Sequence, residues 1–208
     1  MMIAVDGPTA SGKGTIAKAL AAHFRVPHLD SGLLYRAVAR QVGINGGNPA
    51  NPADAEAAAD FPESLLDDSA LRSEATGQLA SIVSAHPGVR EKLRQRQQDF
   101  ANQPGGAVID GRDIGTVIAP DADVKLFVTA TIEARALRRF LEMRDRGEEV
   151  TLEEIEDDLR ARDQRDRNRK QSPLIAAEDA VLLDTSEMDR DAAVAEAIRL
   201  VTEGLASR

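Results

Sequence analysis

Residues 7–15 read Gly7-Pro8-Thr9-Ala10-Ser11-Gly12-Lys13-Gly14-Thr15, a Gly-x-x-x-x-Gly-Lys run followed by Gly-Thr. The apolar run at 2–5 ahead of it predicts a strand, and the apolar spacing over 11–24 predicts a helix. A glycine-rich turn in that context is a phosphate cradle. Glycine lets the backbone curl until its N–H groups point inward at anionic oxygens, and the helix adds its positive N-terminal end. All nine residues are therefore candidate ligands for the phosphates of ATP, with Lys13 supplying a point charge to the β- and γ-phosphates. The common form of the motif places Ser or Thr directly after the lysine. Here Gly14 takes that place, and the hydroxyl comes at Thr15, the candidate contact to phosphate or magnesium.

Further short strands are predicted at 26–29, 107–109, 124–128 and 181–183. Helices are predicted at 33–42, 73–85, 87–100, 131–146 and 189–203, and another opens at Thr151, where Glu154 completes a capping box. Residues 53–73 are rich in alanine and acid and suggest no firm element. Short strands alternating with longer helices imply a parallel sheet covered on both faces, a three-layer α/β fold of about five strands. The stretches 43–73 and 146–172 interrupt the alternation and read as inserts within one domain spanning 1–208.

Asp6, Asp110 and Asp184 end three of the strands. Ligands of open parallel sheets bind beyond the carboxyl ends of the strands. Asp30-Ser31 lies at another such end, where Ser31 either meets ligand or caps the next helix. Asp184-Thr185-Ser186 reads as a turn. His23, His28 and His86 have no metal-ligand spacing and read as structural.

Aromatic residues make up only 3% of the chain, so the core is expected to be aliphatic. No run approaches the ~20 apolar residues of a membrane span. The start of the chain has no basic segment followed by a long apolar one, so no signal peptide is expected. Cysteine is absent, which excludes thiolate chemistry and suits a reducing, cytoplasmic setting. A net charge of −9 argues against nucleic acid as a partner. Yet six of the eleven residues 160–170 are cationic. They form either a solvated helix face or a site for a small anion. Leu152, Ile155 and Leu159 make an apolar helical stripe whose line continues into Arg162, Asp166 and Arg169. A packed face that turns to arginine calls for an anionic partner. The alternative is pairing along the helix with Asp158, Asp163 and Asp166.

The Gly-Lys-Gly-Thr variant resembles the nucleoside monophosphate kinases, and further segments are similar to the bacterial cytidylate kinase family. These are Leu29-Asp30-Ser31-Gly32 with Tyr35-Arg36, then Asp110-Gly111-Arg112-Asp113-Ile114-Gly115-Thr116-Val117, and Arg162-Asp163-Gln164-Arg165-Asp166-Arg167-Asn168-Arg169. The resemblance covers nearly the whole chain. It implies a P-loop α/β core with a monophosphate-binding insert at about 39–104 and a lid at about 146–172. It implies transfer of the γ-phosphate of ATP to CMP or dCMP, with magnesium, by a monomer. Ser31, Arg36, Ser81 and Arg90 would contact the acceptor nucleotide, and Asp110 and Asp113 its ribose. Arg112 would face phosphate, while Arg162, Asp166 and Arg169 would close over the transferring group. Apart from the resemblance, Arg135 or Arg139 at the start of the lid region is a candidate to stack on adenine, and Tyr35 reads as packing beside the monophosphate site. The family's first insert usually carries a small antiparallel sheet. Residues 50–70 here are short and helix-prone instead. Other acceptors, namely UMP, AMP or shikimate, remain open on the residues alone. So do a non-catalytic nucleotide-binding regulator and an RNA binder using 160–170.

Overall fold

The computed structural model describes residues 1–207. Two compact units make up the chain: residues 1–29 with 103–207 form one, and 30–102 the other.

The first unit carries the sheet. β1 (Met2–Asp6) is central, with β3 (Ala107–Gly111) on one side and β4 (Val124–Thr129) on the other, both parallel to it. β5 (Val181–Asp184) extends the sheet parallel to β4, and β2 (His28–Asp30) lies beyond β3, for the order β2-β3-β1-β4-β5. β1 is apolar along nearly its whole length because helices cover both faces of a sheet of this kind. Ile3, Val5, Leu126 and Val128 are buried against Ile16 and Leu20 of α1 (Lys13–Phe24) and Ala197 and Val201 of α8 (Arg190–Ala206). The core is aliphatic, as the scarcity of aromatics predicts.

α1 begins at Lys13 rather than residue 11. Gly12 holds φ at +86°, a left-handed conformation that ends the loop and starts the helix. α6 (Ile132–Asp145) is capped by the Thr131 hydroxyl. α7 (Leu152–Asn168) carries the predicted capping box, with Thr151 and Glu154 each closing on the other's backbone. A smaller apolar cluster of Ala136, Met143, Ile155 and Leu159 joins these two helices. The strand at 107–109 runs on to Gly111, and a single wide turn, Ile114–Ile118, follows it.

The second unit is helical: α2 (Ser31–Ile44), α3 (Pro52–Ala57), α4 (Glu74–Val83) and α5 (Pro87–Ala101). Leu34, Val38 and Val42 of α2 are fully buried, as are Leu71, Val83 and Val89. Residues 53–73, which predict no firm element, hold α3 and three short 3₁₀ turns. Asn51 caps α3 by accepting the Ala53 amide at 2.9 Å. After Asp30, the last residue of β2, the described residues of this unit form no strand, in keeping with its helix-prone 50–70 segment.

Candidate active site

The loop after β1 curls as its glycines allow. Gly7, Ala10 and Gly12 all have positive φ. A Cβ on Gly7 would lie 2.0 Å from the Val128 carbonyl oxygen, so only glycine lets the loop pass so close to β4. Pro8 is buried, Thr9 and Ala10 half-buried, and Ser11 has no exposed surface. Lys13 and Gly14 are partly exposed, and Thr15 is exposed. Lys13 Nζ lies 3.4 Å from the Pro8 carbonyl.

Two supports of this loop are not legible in the motif. Thr185, buried after β5, donates its hydroxyl to the Ser11 carbonyl at 3.1 Å. Arg138 of α6 bonds both the hydroxyl and the carbonyl of Thr185. Asp184 accepts from the Ser186 amide and hydroxyl, which is the turn predicted there.

Asp6 does not offer its carboxylate to solvent. It accepts the amides of Ile114 at 2.9 Å and Gly115 at 2.8 Å, and so fixes the start of the turn that follows Arg112 and Asp113. Burial pushes its carboxyl up to about 6, against the pull of those two amides. Its place immediately before Gly7 is the one sequence signal for this role. Asp110 lies at the end of β3 with its Oδ1 2.7 Å from His28 Nε2, which gives His28 its structural part. Asp113 is buried, and its charge adds to the upward push on Asp6.

Arg112 connects three parts of the unit. Its Nε donates to Asp166 at 2.7 Å, Nη2 to the Thr9 hydroxyl at 2.7 Å, and Nη1 to the Gly111 carbonyl at 3.4 Å. Asp166 is buried, which raises its pKa, but Arg112, Arg169 and Arg162 outweigh that and hold the carboxyl below its ordinary value. Arg162 is buried on the same helix, 3.7 Å from Asp158, and Arg169 lies 4.0 Å from Asp166. The structure thus brings the loop 7–15, Arg112 and Asp166 into one bonded cluster, with Arg162 on the same helix and Arg169, the residue that ends it, around Asp166.

Two expectations about α6 and α7 need correction. Leu152 is exposed, so the buried stripe begins at Ile155. Arg135 is not placed to stack on adenine. It is buried in a forked ion pair with Asp163, at 3.1 and 2.6 Å, because a guanidinium taken out of water needs a carboxylate there. Arg139, partly exposed, pairs with Glu142. Pairing along α7 accounts for part of its charge, but Asp163 and the hydrogen bond of Asp166 go to other elements.

In the second unit, Asp30 rather than Ser31 caps α2, accepting the Leu33 amide at 3.1 Å. Ser31 is the first helical residue and is buried. Arg36 donates to the carbonyls of Leu71 and Ser73 at 2.8 and 2.9 Å. Ser81 is half-buried on α4. Arg90, buried at the start of α5, donates to the Ser84 carbonyl and lies over the Tyr35 ring, 5.5 Å from its centre.

A parallel sheet of this order, with a glycine cradle between its central strand and the first helix, defines a P-loop nucleotide-binding α/β protein. The family model described as Cytidylate kinase matches residues 3–203, and the chain belongs to that family. It is 53% identical to the cytidylate kinase of Methylocella silvestris, covering 97% of this chain and 94% of that one. It is 52% identical over the full length of both chains to the cytidylate kinase of Xanthobacter autotrophicus. Among solved structures, an uncharacterized protein from Eubacterium ventriosum shares the fold, with a TM-score of 0.56 at 16% identity, covering 100% of this chain and 99% of that one.

Proposed function

We propose that this enzyme transfers the γ-phosphate of ATP to CMP, giving CDP and ADP, and that dCMP serves as well. The observation that carries the reading is the curled loop 7–15, bonded through Thr9 to Arg112, in a chain similar over its whole length to cytidylate kinases.

The chemistry follows from charge. The phosphate of CMP has a second pKa of about 6, so it is mostly dianionic at neutral pH. The nucleophile is already deprotonated and no general base is needed. Catalysis is then positioning and charge stabilisation of a loose transition state. The loop amides and Lys13 hold the β- and γ-phosphates. Arg112, Arg162 and Arg169 bind the transferring group, with Asp166 orienting them. Arginine suits this task because its fork meets phosphate oxygens in pairs. Ser31, Arg36, Ser81 and Arg90 bind the acceptor nucleotide, and Asp110 and Asp113 its ribose. On this reading the acceptor insert spans about 39–104 and the lid about 146–172 of one P-loop kinase domain. Closure of the lid excludes water, which would otherwise waste ATP.

Magnesium bound with ATP would supply charge that neutralises its phosphates. Among the described residues no group of three or more acidic, histidine or cysteine side chains is arranged to hold a metal. Thr15, exposed at the start of α1, would add a hydroxyl to an ion carried in on phosphate oxygens and water. The enzyme works as a cytoplasmic monomer on small nucleotides, with neither nucleic acid nor membrane as partner. No helix among the described residues is long and apolar enough to cross a membrane.

The test is ADP release measured over CMP, dCMP, UMP, AMP and shikimate. CMP and dCMP are expected to give the highest kcat/KM. A preference for another acceptor would overturn the assignment.

A further inference from the structure

Two arginines from outside α7 hold that helix to the phosphate loop, and only Arg112 has so far been given a part in the reaction. The other is Arg135. Its Nη1 donates to Asp163 at 3.1 Å and to the Thr9 carbonyl at 3.1 Å. Its Nη2 donates to Asp163 at 2.6 Å, and its Nε to the Ala130 carbonyl at 3.0 Å. The two side chains are only 3% and 9% exposed, so the pair is shielded from water. Every guanidinium nitrogen of Arg135 is thus engaged within the protein.

Thr9 is where the two arginines meet. Its carbonyl accepts from Arg135 and its hydroxyl from Arg112. Arg135 grips Asp163 on α7, and Arg112 grips Asp166 one turn later. A helix turns about 100° and rises about 1.5 Å per residue, so fixing Asp163 sets both its rotation and its advance. Arg162 is the preceding residue, Asp166 follows three residues along, and Arg169 is the cap directly after the helix's last residue, so its place is set by where the helix ends.

We propose that Arg135 and Asp163 are positioning residues. Their forked pair sets the register of Arg162, Asp166 and Arg169 against the phosphate loop, and so places the cations around the transferring phosphoryl group. This rests on the phosphoryl-transfer reading above. The pair itself stays closed through the reaction and touches no nucleotide.

The test compares the wild-type enzyme with two variants, Arg135→Met/Asp163→Leu and Arg135→Lys. Breaking half of a buried ion pair strands a charge, but replacing both halves with apolar groups of similar volume is often neutral or stabilising. The double variant is expected to melt at or above the wild-type temperature. Its kcat for CMP is expected to fall by about tenfold to a hundredfold, the effect of a displacement near 1 Å. KM for ATP and CMP should stay within about threefold, since the binding groups remain. Arg135→Lys keeps the charge but loses the fork, and it too should lower kcat. A folded double variant with wild-type kcat would overturn the proposal. So would a loss seen only in KM, or failure of both variants to fold, which would make the pair a holder of the fold alone. Wild-type enzyme that leaves CMP unphosphorylated would instead defeat the functional reading, so the two failures are told apart.

Discussion

Asp6 accepts the amides of Ile114 and Gly115 from a buried position, and burial pushes its carboxyl from an ordinary 3.8 up to about 6. The folded chain therefore holds this proton more tightly than the unfolded chain does. With more protons bound in the folded state, stability falls as pH rises across the interval between the two values. Below about 4 both states are protonated, and above about 6 both are ionised. Over that window the wild-type protein should lose up to about 3 kcal/mol relative to Asp6→Asn, which cannot titrate. Urea melts of both proteins from pH 4 to pH 7 would read this. A stability difference that does not move with pH would show that Asp6 ionises normally.

Residues whose role follows from backbone chemistry are legible in sequence. Gly7 and Gly12 are such cases, because a loop that curls around phosphate needs them. Residues whose role comes from a distant partner are not. Thr185 reaches Ser11 across 174 positions, and Arg135 reaches Asp163 across 28. Nothing local marks either pairing. The face of α7 does announce that it is unusual, since its apolar line runs into arginine. It does not say that Asp163, off that line, faces α6.

At the scale of elements, the loop between β1 and α1 depends on close approach to a neighbouring strand. Gly7→Ala would set a methyl carbon 2.0 Å from the Val128 oxygen and 3.1 Å from its carbonyl carbon. Backbone on β4 is held by ladders on both sides and cannot give way. The loop must move instead. Unfolding free energy should drop by about 1–3 kcal/mol, the usual range for overpacking. ATP affinity should fall with it. Denaturation curves and nucleotide binding check this, and a variant equal to wild type in both would mean the loop has room to shift.

Long periodic elements were readable. α1, α5 and α6 lie within two residues of their predicted limits, and α8 runs three residues past its predicted end. The 53–73 region was not, because 3₁₀ turns of three to five residues leave no period to detect. Their stability comes from packing, as with fully buried Leu71, and not from propensity. The single turn Ile114–Ile118 is likewise set by its bonds to Asp6 rather than by its own residues.

For the molecule as a whole, a chain of net charge −9 must still attract two polyanions. It does so locally. Loop amides, Lys13 and Arg112 lie in one region of the first unit, and Arg162 and Arg169 gather around Asp166. Global charge disfavours indiscriminate binding of phosphate backbones, while a local cluster of cations favours a small anion. The match to the Cytidylate kinase family spans residues 3–203, so it covers both units.

The most direct test follows labelled γ-phosphate from ATP in a single turnover with CMP, for the wild-type enzyme and for Lys13→Ala. Label should appear in CDP with the wild type. The lysine variant should do this more slowly by about two to four orders of magnitude, as expected for loss of a group that meets developing charge. Label that stays in ATP or goes only to inorganic phosphate, or a variant as fast as the wild type, would contradict the account.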